Sequence, residues 1–276
     1  MKNIRITIVT ENTARRPDVI AEHGLAYWIE TPNARILFDT GREGSFRHNS
    51  RVLDLNLKQT DAIVLSHGHY DHTGGLAYAL QQAPDAKLFL HRNAMKPRFS
   101  INGESAHEIG MPEHVCAAVQ NHSGRKIWTR QPLLVTESVF VTGPITRVNS
   151  FEDTGGAFFL DERGRRVDGI HDDQALWLET PKGLVVLLGC AHAGVINTLD
   201  YIRKLTVNQP IRAVIGGMHL KNAGKRRLQR TVARLQRLTP DGIAPLHCTG
   251  MEAVSTLWSA FPKACLDCGA GTVLEY

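Results

Sequence analysis

Apolar residues fall in short runs along this chain, divided by polar and glycine-bearing stretches. The runs at 4–9, 25–29, 35–38, 62–65 and 86–90 read as strands. Leu76, Ala77 and Leu80 place a helix between the last two. Further strands are expected near 133–141, 157–160, 175–180, 184–189, 211–215 and 242–246, and a short closing strand at 272–275. Helical patterns occupy 194–205, 224–238 and 250–260, each after a strand. Strands first and strand–helix alternation later predict an α/β (α+β) protein with helices on the outer faces of its sheets. The segment from His91 to about Arg130 lacks clear periodicity and is rich in Arg, His, Asn and Gly. It reads as an insertion placed to lid a site.

At 276 residues the chain is long enough for one large domain or two small ones. Its formal charge of +5 suits an anionic small substrate. Nucleic acid fits less well, because no basic tract is interleaved with aromatic residues. The densest basic run, Lys225, Arg226 and Arg227 with Arg230, Arg234 and Arg237, lies on a helical pattern and reads as a solvated face. No apolar run approaches the roughly 20 residues of a membrane span. The amino terminus alternates like a strand, unlike a signal peptide. Five cysteines, an odd number, read as reduced thiols, and the expected address is the cytoplasm. Cys265 and Cys268 have redox-pair or zinc-knuckle spacing but no partner pair, so packing is the expected role.

The chemistry concentrates in Ser66-His67-Gly68-His69-Tyr70-Asp71-His72, between an apolar run and a Gly-Gly turn. Side chains two apart on an extended segment point the same way, so His67 and His69 can converge on one point. Asp71 and His72 can converge on a second as the chain turns into the helix. Neutral imidazole with carboxylate suits zinc, iron or manganese. His192, His219 and His247 each stand at the end of an apolar strand, and the first and last immediately precede a helical pattern.

His-x-His-x-Asp-His after an apolar strand resembles the signature of the metallo-β-lactamase superfamily, as does Ile36-Leu37-Phe38-Asp39-Thr40-Gly41 upstream. The resemblance covers most of the chain. It implies one domain over 1–276, folded as a four-layer αββα sandwich of two mixed β-sheets, with the insertion or lid at about 91–130. It also implies two divalent metal ions, zinc first, with iron, manganese or magnesium as substitutes. His67, His69 and His192 would hold one ion; Asp71, His72 and His247 would hold the other. Asp39 would be a carboxylate orienting a bound histidine or water. Asp71, His219 and Asp39 are the catalytic candidates, His219 as an imidazole beside the metals. Arg92, Lys96 and Arg98 in the insertion are the candidate phosphate contacts.

One departure stands out. Where most dinuclear members carry Gly-Asp and bridge the metals with that aspartate, this chain has Gly189-Cys190, so a thiolate could take the bridge. His171-Asp172-Asp173-Gln174 lies near another ligand position of the family, and also reads as a turn before a strand. Asp172-Asp173-Gln174-Ala175-Leu176, Gly-Cys-Ala-His-Ala-Gly, Gly-Gly-Met-His-Leu and His-Cys-Thr-Gly resemble the branch that includes 7,8-dihydropterin-6-methyl-4-(β-D-ribofuranosyl)aminobenzene-5'-phosphate synthase. That resemblance implies transfer between a pterin pyrophosphate and an arylamine. Hydrolysis of phosphoesters, thioesters or lactones is the alternative. A metal-stabilised binding or regulatory protein is a further alternative, which the missing aspartate bridge would favour.

Overall fold

The computed structural model describes residues 4–103 and 105–276. In chain order its elements are β1 (Arg5–Thr10), β2 (Ala26–Glu30), β3 (Arg35–Phe38), α1 (Glu43–Val52), β4 (Ala62–Val64), α2 (Tyr70–Thr73), α3 (Leu76–Gln82) and β5 (Lys87–Leu90). There follow β6 (Phe99–Asn102), β7 (Ser105–Glu108), α4 (Glu113–Asn121), β8 (Lys126–Trp128), β9 (Leu133–Thr136), β10 (Val139–Val141) and β11 (Phe158–Phe159). The rest is β12 (Leu176–Thr180), β13 (Gly183–Leu188), α5 (Val195–Leu205), β14 (Ile211–Gly217), α6 (Lys225–Leu238), β15 (Gly242–Leu246), α7 (Met251–Ala260) and β16 (Val273–Glu275).

Two mixed sheets carry the fold. One runs β16-β1-β2-β3-β4-β5-β8, the other β15-β14-β13-β12-β10-β9. Strand pleating assigns alternate side chains to opposite faces, and the cores follow that alternation. Ile36, Phe38 and Val64 meet Val185, Leu187 and Ile215 in a core shared by both sheets. Leu37 and Ile63 point the other way, toward Phe46, Leu76, Leu80 and Val115 of the helices outside the first sheet. Val186 and Leu188 do the same on the second sheet, toward Leu199, Ile202, Leu235 and Leu257. Three cores between four layers make an αββα sandwich. None of the described helices is long and apolar enough to cross a membrane.

The stretch from His91 to Arg130 divides in two. Its second half builds the sandwich: α4 buries Val115 and Val119 in the outer core, and β8 pairs in parallel with β5 at the sheet edge. A nine-residue helix with so few core-facing positions, and a three-residue edge strand, leave almost no periodicity to read. The first half forms the hairpin β6–β7, which joins β11 in a separate three-stranded sheet.

Candidate metal centre

In β3–β4 and in β13–β14–β15 neighbouring strands run parallel, and ligands of open α/β sheets gather at carboxyl ends of such strands. Asp39 follows β3, the His67–His72 segment follows β4, and Cys190 with His192 follows β13. His219 and His247 follow β14 and β15. Asp39, Ala191, His219 and His247 hold φ of 58°, 54°, 44° and 52°. Left-handed backbone at residues other than glycine is uncommon and concentrates at functional sites.

The side chains form two adjoining groups. His67 Nε2 lies 2.9 Å from His69 Nδ1, and ligand atoms of His67, His69 and His192 all lie within 4.8 Å of one another. His247 Nε2 lies 3.2 Å from both Asp71 Oδ2 and His72 Nε2, and His72 Nε2 is 3.8 Å from the same oxygen. Cys190 joins the two: its sulfur is 3.1 Å from His72 Nε2 and groups with His67 on one side and with His192 and His219 on the other. Ligands about 2.0–2.1 Å from a tetrahedral zinc ion would stand about 3.3 Å apart, close to these spacings.

The outward-facing ring nitrogens settle which nitrogens face inward. His72 Nδ1 donates to Asp39 Oδ2 at 2.7 Å. Ser66 Oγ donates to the same oxygen at 2.6 Å, so it accepts from His67 Nδ1 at 2.9 Å. His192 Nδ1 donates to the Thr154 carbonyl at 2.8 Å, and His247 Nδ1 to Asn12 Oδ1 at 3.0 Å. In the neutral ring each Nε2 is thereby left with a lone pair directed at the cluster, the arrangement outer partners give to metal-ligating histidines. His192 Nε2 is buried and has no hydrogen-bond partner among the described residues. A buried polar atom left this way needs a partner, and a cation fits.

Electrostatics agree with the donor set. Burial, then neighbouring charged groups, holds His67, His69 and His192 well below the ordinary histidine range, which keeps them in the neutral, ligating form. Burial alone would raise Asp71, yet His72, His23 and His247 hold it well below the ordinary carboxylate range. Burial pulls His72 down, but Asp71 and Asp39 overcome it and its pKa is raised. Burial, with Cys248 beside it, pushes the Cys190 thiol well up; a bound cation is what would deprotonate it.

Asp39 is fully buried behind His72. It therefore holds His72 and Ser66 from behind and does not line the cleft. The 171–174 turn is a buckle. Asp172 Oδ2 accepts from Gly68 N at 2.9 Å, Gln174 Nε2 donates to Leu65 O at 2.6 Å, and Asp173 Oδ2 accepts from Ala193 N at 2.7 Å. The loops bearing His67–His72 and His192 are thus tied to one turn. Burial raises Asp173 to about 7. Gly68 is required here, since a Cβ on it would sit 2.0 Å from Ala94 O.

The phosphate candidates need correction too. Arg98 is fully buried and paired with Asp168 at 3.0 Å and with Asp172. Its charge balances the buckle's buried carboxylates instead of meeting solvent anions. Arg92 lies over the Trp128 ring, 4.8 Å from its centroid, and neither it nor Lys96 lines the cleft. Among the described residues, the cleft's lysine is Lys221.

The groups open into a cleft of about 290 Å³, lined among others by His69, Asp71, His219, His247, Ser100 and Ile109. Phe158 of β11 stands over it, its ring centroid 5.3 Å from those of His69 and His192 and 6.0 Å from that of His219. The His219 and His192 rings are 4.3 Å apart. Sequence reasoning missed Asn12 and Phe158, and also His23, whose Nε2 lies 3.2 Å from Asp71 Oδ2. Asn12 follows a strand end, as the histidines do, and could have been found on that ground; His23 stands in an irregular stretch that carries no such signal.

The sequence model of the metallo-beta-lactamase superfamily matches residues 19–172. A curated relative from Methanocaldococcus jannaschii, named 7,8-dihydropterin-6-methyl-4-(beta-D-ribofuranosyl)-aminobenzene-5'-phosphate synthase, is 29% identical over 99% of this chain and 97% of its own. An uncharacterized protein of the same archaeon is 32% identical over 91% of this chain and 93% of its own. Among solved structures, one described as a metal-dependent hydrolase of the beta-lactamase superfamily superposes with a TM-score of 0.83 at 29% identity, covering 99% of both chains. YhfI from Bacillus subtilis, a metallo-beta-lactamase fold protein, matches at a TM-score of 0.61 and 13% identity over 100% of both chains, a likeness of fold alone.

Proposed function

The chain belongs to the metallo-beta-lactamase superfamily, and from that premise we propose that it is a two-metal enzyme acting on a phosphorylated small molecule. The observation that carries this reading is the pair of adjoining donor groups with Cys190 between them. His67, His69 and His192 would hold one divalent ion, Asp71, His72 and His247 the other, with Cys190 standing beside both sets. Bound there, the ions would neutralise phosphate charge and polarise the bond that breaks. Lys221 at the cleft wall would meet a phosphate group, and His219 would contact the substrate and move a proton. Phe158 and the β6–β7 hairpin would cover the bound molecule and exclude water.

Among reactions, we favour transfer from a pterin pyrophosphate to an arylamine, because the relative named for that product matches along its whole length. Hydrolysis is the second reading, favoured by the description of the solved structure matched at 29% identity. Five free cysteines suit a reducing compartment, which supports the cytoplasm as the address. The test is pyrophosphate release by metal-loaded protein from a hydroxymethyl-dihydropterin pyrophosphate. Release that depends on added ribofuranosylaminobenzene phosphate is expected. Turnover of phosphodiester, thioester or lactone substrates without any amine would establish the hydrolase instead.

A further inference from the structure

We propose that His23 is a fourth protein ligand of the ion at Asp71, a metal-binding role carried by this chain's loop ahead of β2; the proposal rests on the two-metal reading above. Three imidazole nitrogens approach one carboxylate oxygen. Asp71 Oδ2 lies 3.2 Å from His23 Nε2, 3.2 Å from His247 Nε2 and 3.8 Å from His72 Nε2. His23, Asp71 and His247 form a donor group of their own, with ligand atoms mutually within 4.8 Å. The His23 and His247 rings pack at 4.8 Å between centroids.

His23 does not reach this place by chance of an exposed rotamer, because the backbone on its carboxyl side is pinned to the same two ligands. Leu25 N donates to the Asp71 carbonyl at 3.2 Å. Gly24, at φ 153°, lies so close that a Cβ there would stand 2.6 Å from that carbonyl oxygen. Gly24 N donates to Asn12 Oδ1 at 3.3 Å, and that oxygen also receives His247 Nδ1. Asn12 Nδ2 in turn donates to the His247 carbonyl at 3.1 Å. One asparagine therefore registers the His23 turn against His247.

The donor sets then become equal in number. His67, His69, His192 and Cys190 form one; Asp71, His72, His247 and His23 form the other, three nitrogens and an oxygen that suit a four-coordinate zinc ion. The sets differ in access. The His23 side chain is 53% exposed while that of Asp71 is 9% exposed, so His23 is the ligand that an incoming phosphate oxygen can displace.

The test compares metal binding by the full-length protein and by His23→Ala, with His114→Ala, an exposed histidine on α4, as control. Metal-stripped protein is titrated with zinc, and separately with cobalt, whose visible absorption weakens when a four-coordinate ion gains water ligands. Wild type and His114→Ala should take up two equivalents. His23→Ala should keep one tightly and bind the second roughly tenfold or more weakly, at least what loss of an outer-shell partner costs, with weaker cobalt absorption. Equal affinities and unchanged spectra in His23→Ala would overturn the proposal and leave the two-metal reading standing. One equivalent or none in wild type would overturn both.

Discussion

The two halves of the candidate centre are built differently. The half formed by His67, His69 and His192 is deep and neutral: every ring is buried, and burial suppresses each one's protonation. The half around Asp71 carries charge, with a carboxylate held ionised, a histidine held toward its protonated form, and an exposed imidazole at the cleft. A dry, neutral donor set can do little except bind a cation. A charged set at a cleft can also exchange ligands with what enters. On the proposed two-metal reading, the first half would mainly anchor a cation and the second would also meet substrate.

The largest effect should come from the deep half. Replacing His67 and His69 together with Ala should remove most bound metal and lower turnover by at least ~100-fold, the scale for losing a main electrostatic stabiliser. Full metal content in the double variant, measured by elemental analysis, would break the division. Next comes the buckle that supports it. Arg98→Met leaves Asp168 and Asp172 buried without their cation, and removing one partner of such a group costs about 3–5 kcal/mol. Urea unfolding should show that loss. A variant of normal stability but raised KM would return Arg98 to the substrate.

A smaller effect follows from protonation. His67, His69 and His192 sit below their ordinary value of 6.5 in the folded protein. Their contribution to the stability of metal-stripped protein is complete above pH 6.5. It is lost as pH falls, because the unfolded chain takes up protons that the folded one refuses. His72, with its pKa raised, acts in the opposite sense but is one group against three. The urea midpoint of metal-stripped protein should fall between pH 7 and pH 5. A midpoint that rises over that range would contradict the neutral anchor.

The same contrast separates what the sequence made legible from what it did not. Strand ends bearing His67, His192 and His247 were readable, because a short apolar run followed by a ligand-type residue leaves a local trace. Sheets with helices on their outer faces were readable from the order of strands and helices, and the resemblance to the superfamily supplied the four-layer sandwich. Arg98 was misread since nothing local distinguishes a buried arginine from a solvated one; its partners Asp168 and Asp172 come some seventy residues later. α4 turns few residues into the core and β8 lies at a sheet edge, so neither leaves a clear apolar pattern. His23 owes its position to Asn12 and Asp71, contacts that only the folded chain makes.

The central claim is that two cations share this centre with Cys190 between them. Anomalous diffraction from zinc-loaded crystals tests it most directly. The account predicts two peaks, one among His67, His69 and His192, the other among Asp71, His72 and His247, with Cys190 Sγ about 2.3 Å from at least one of the ions. A single peak, or a Cys190 sulfur bonded to neither ion, would contradict it.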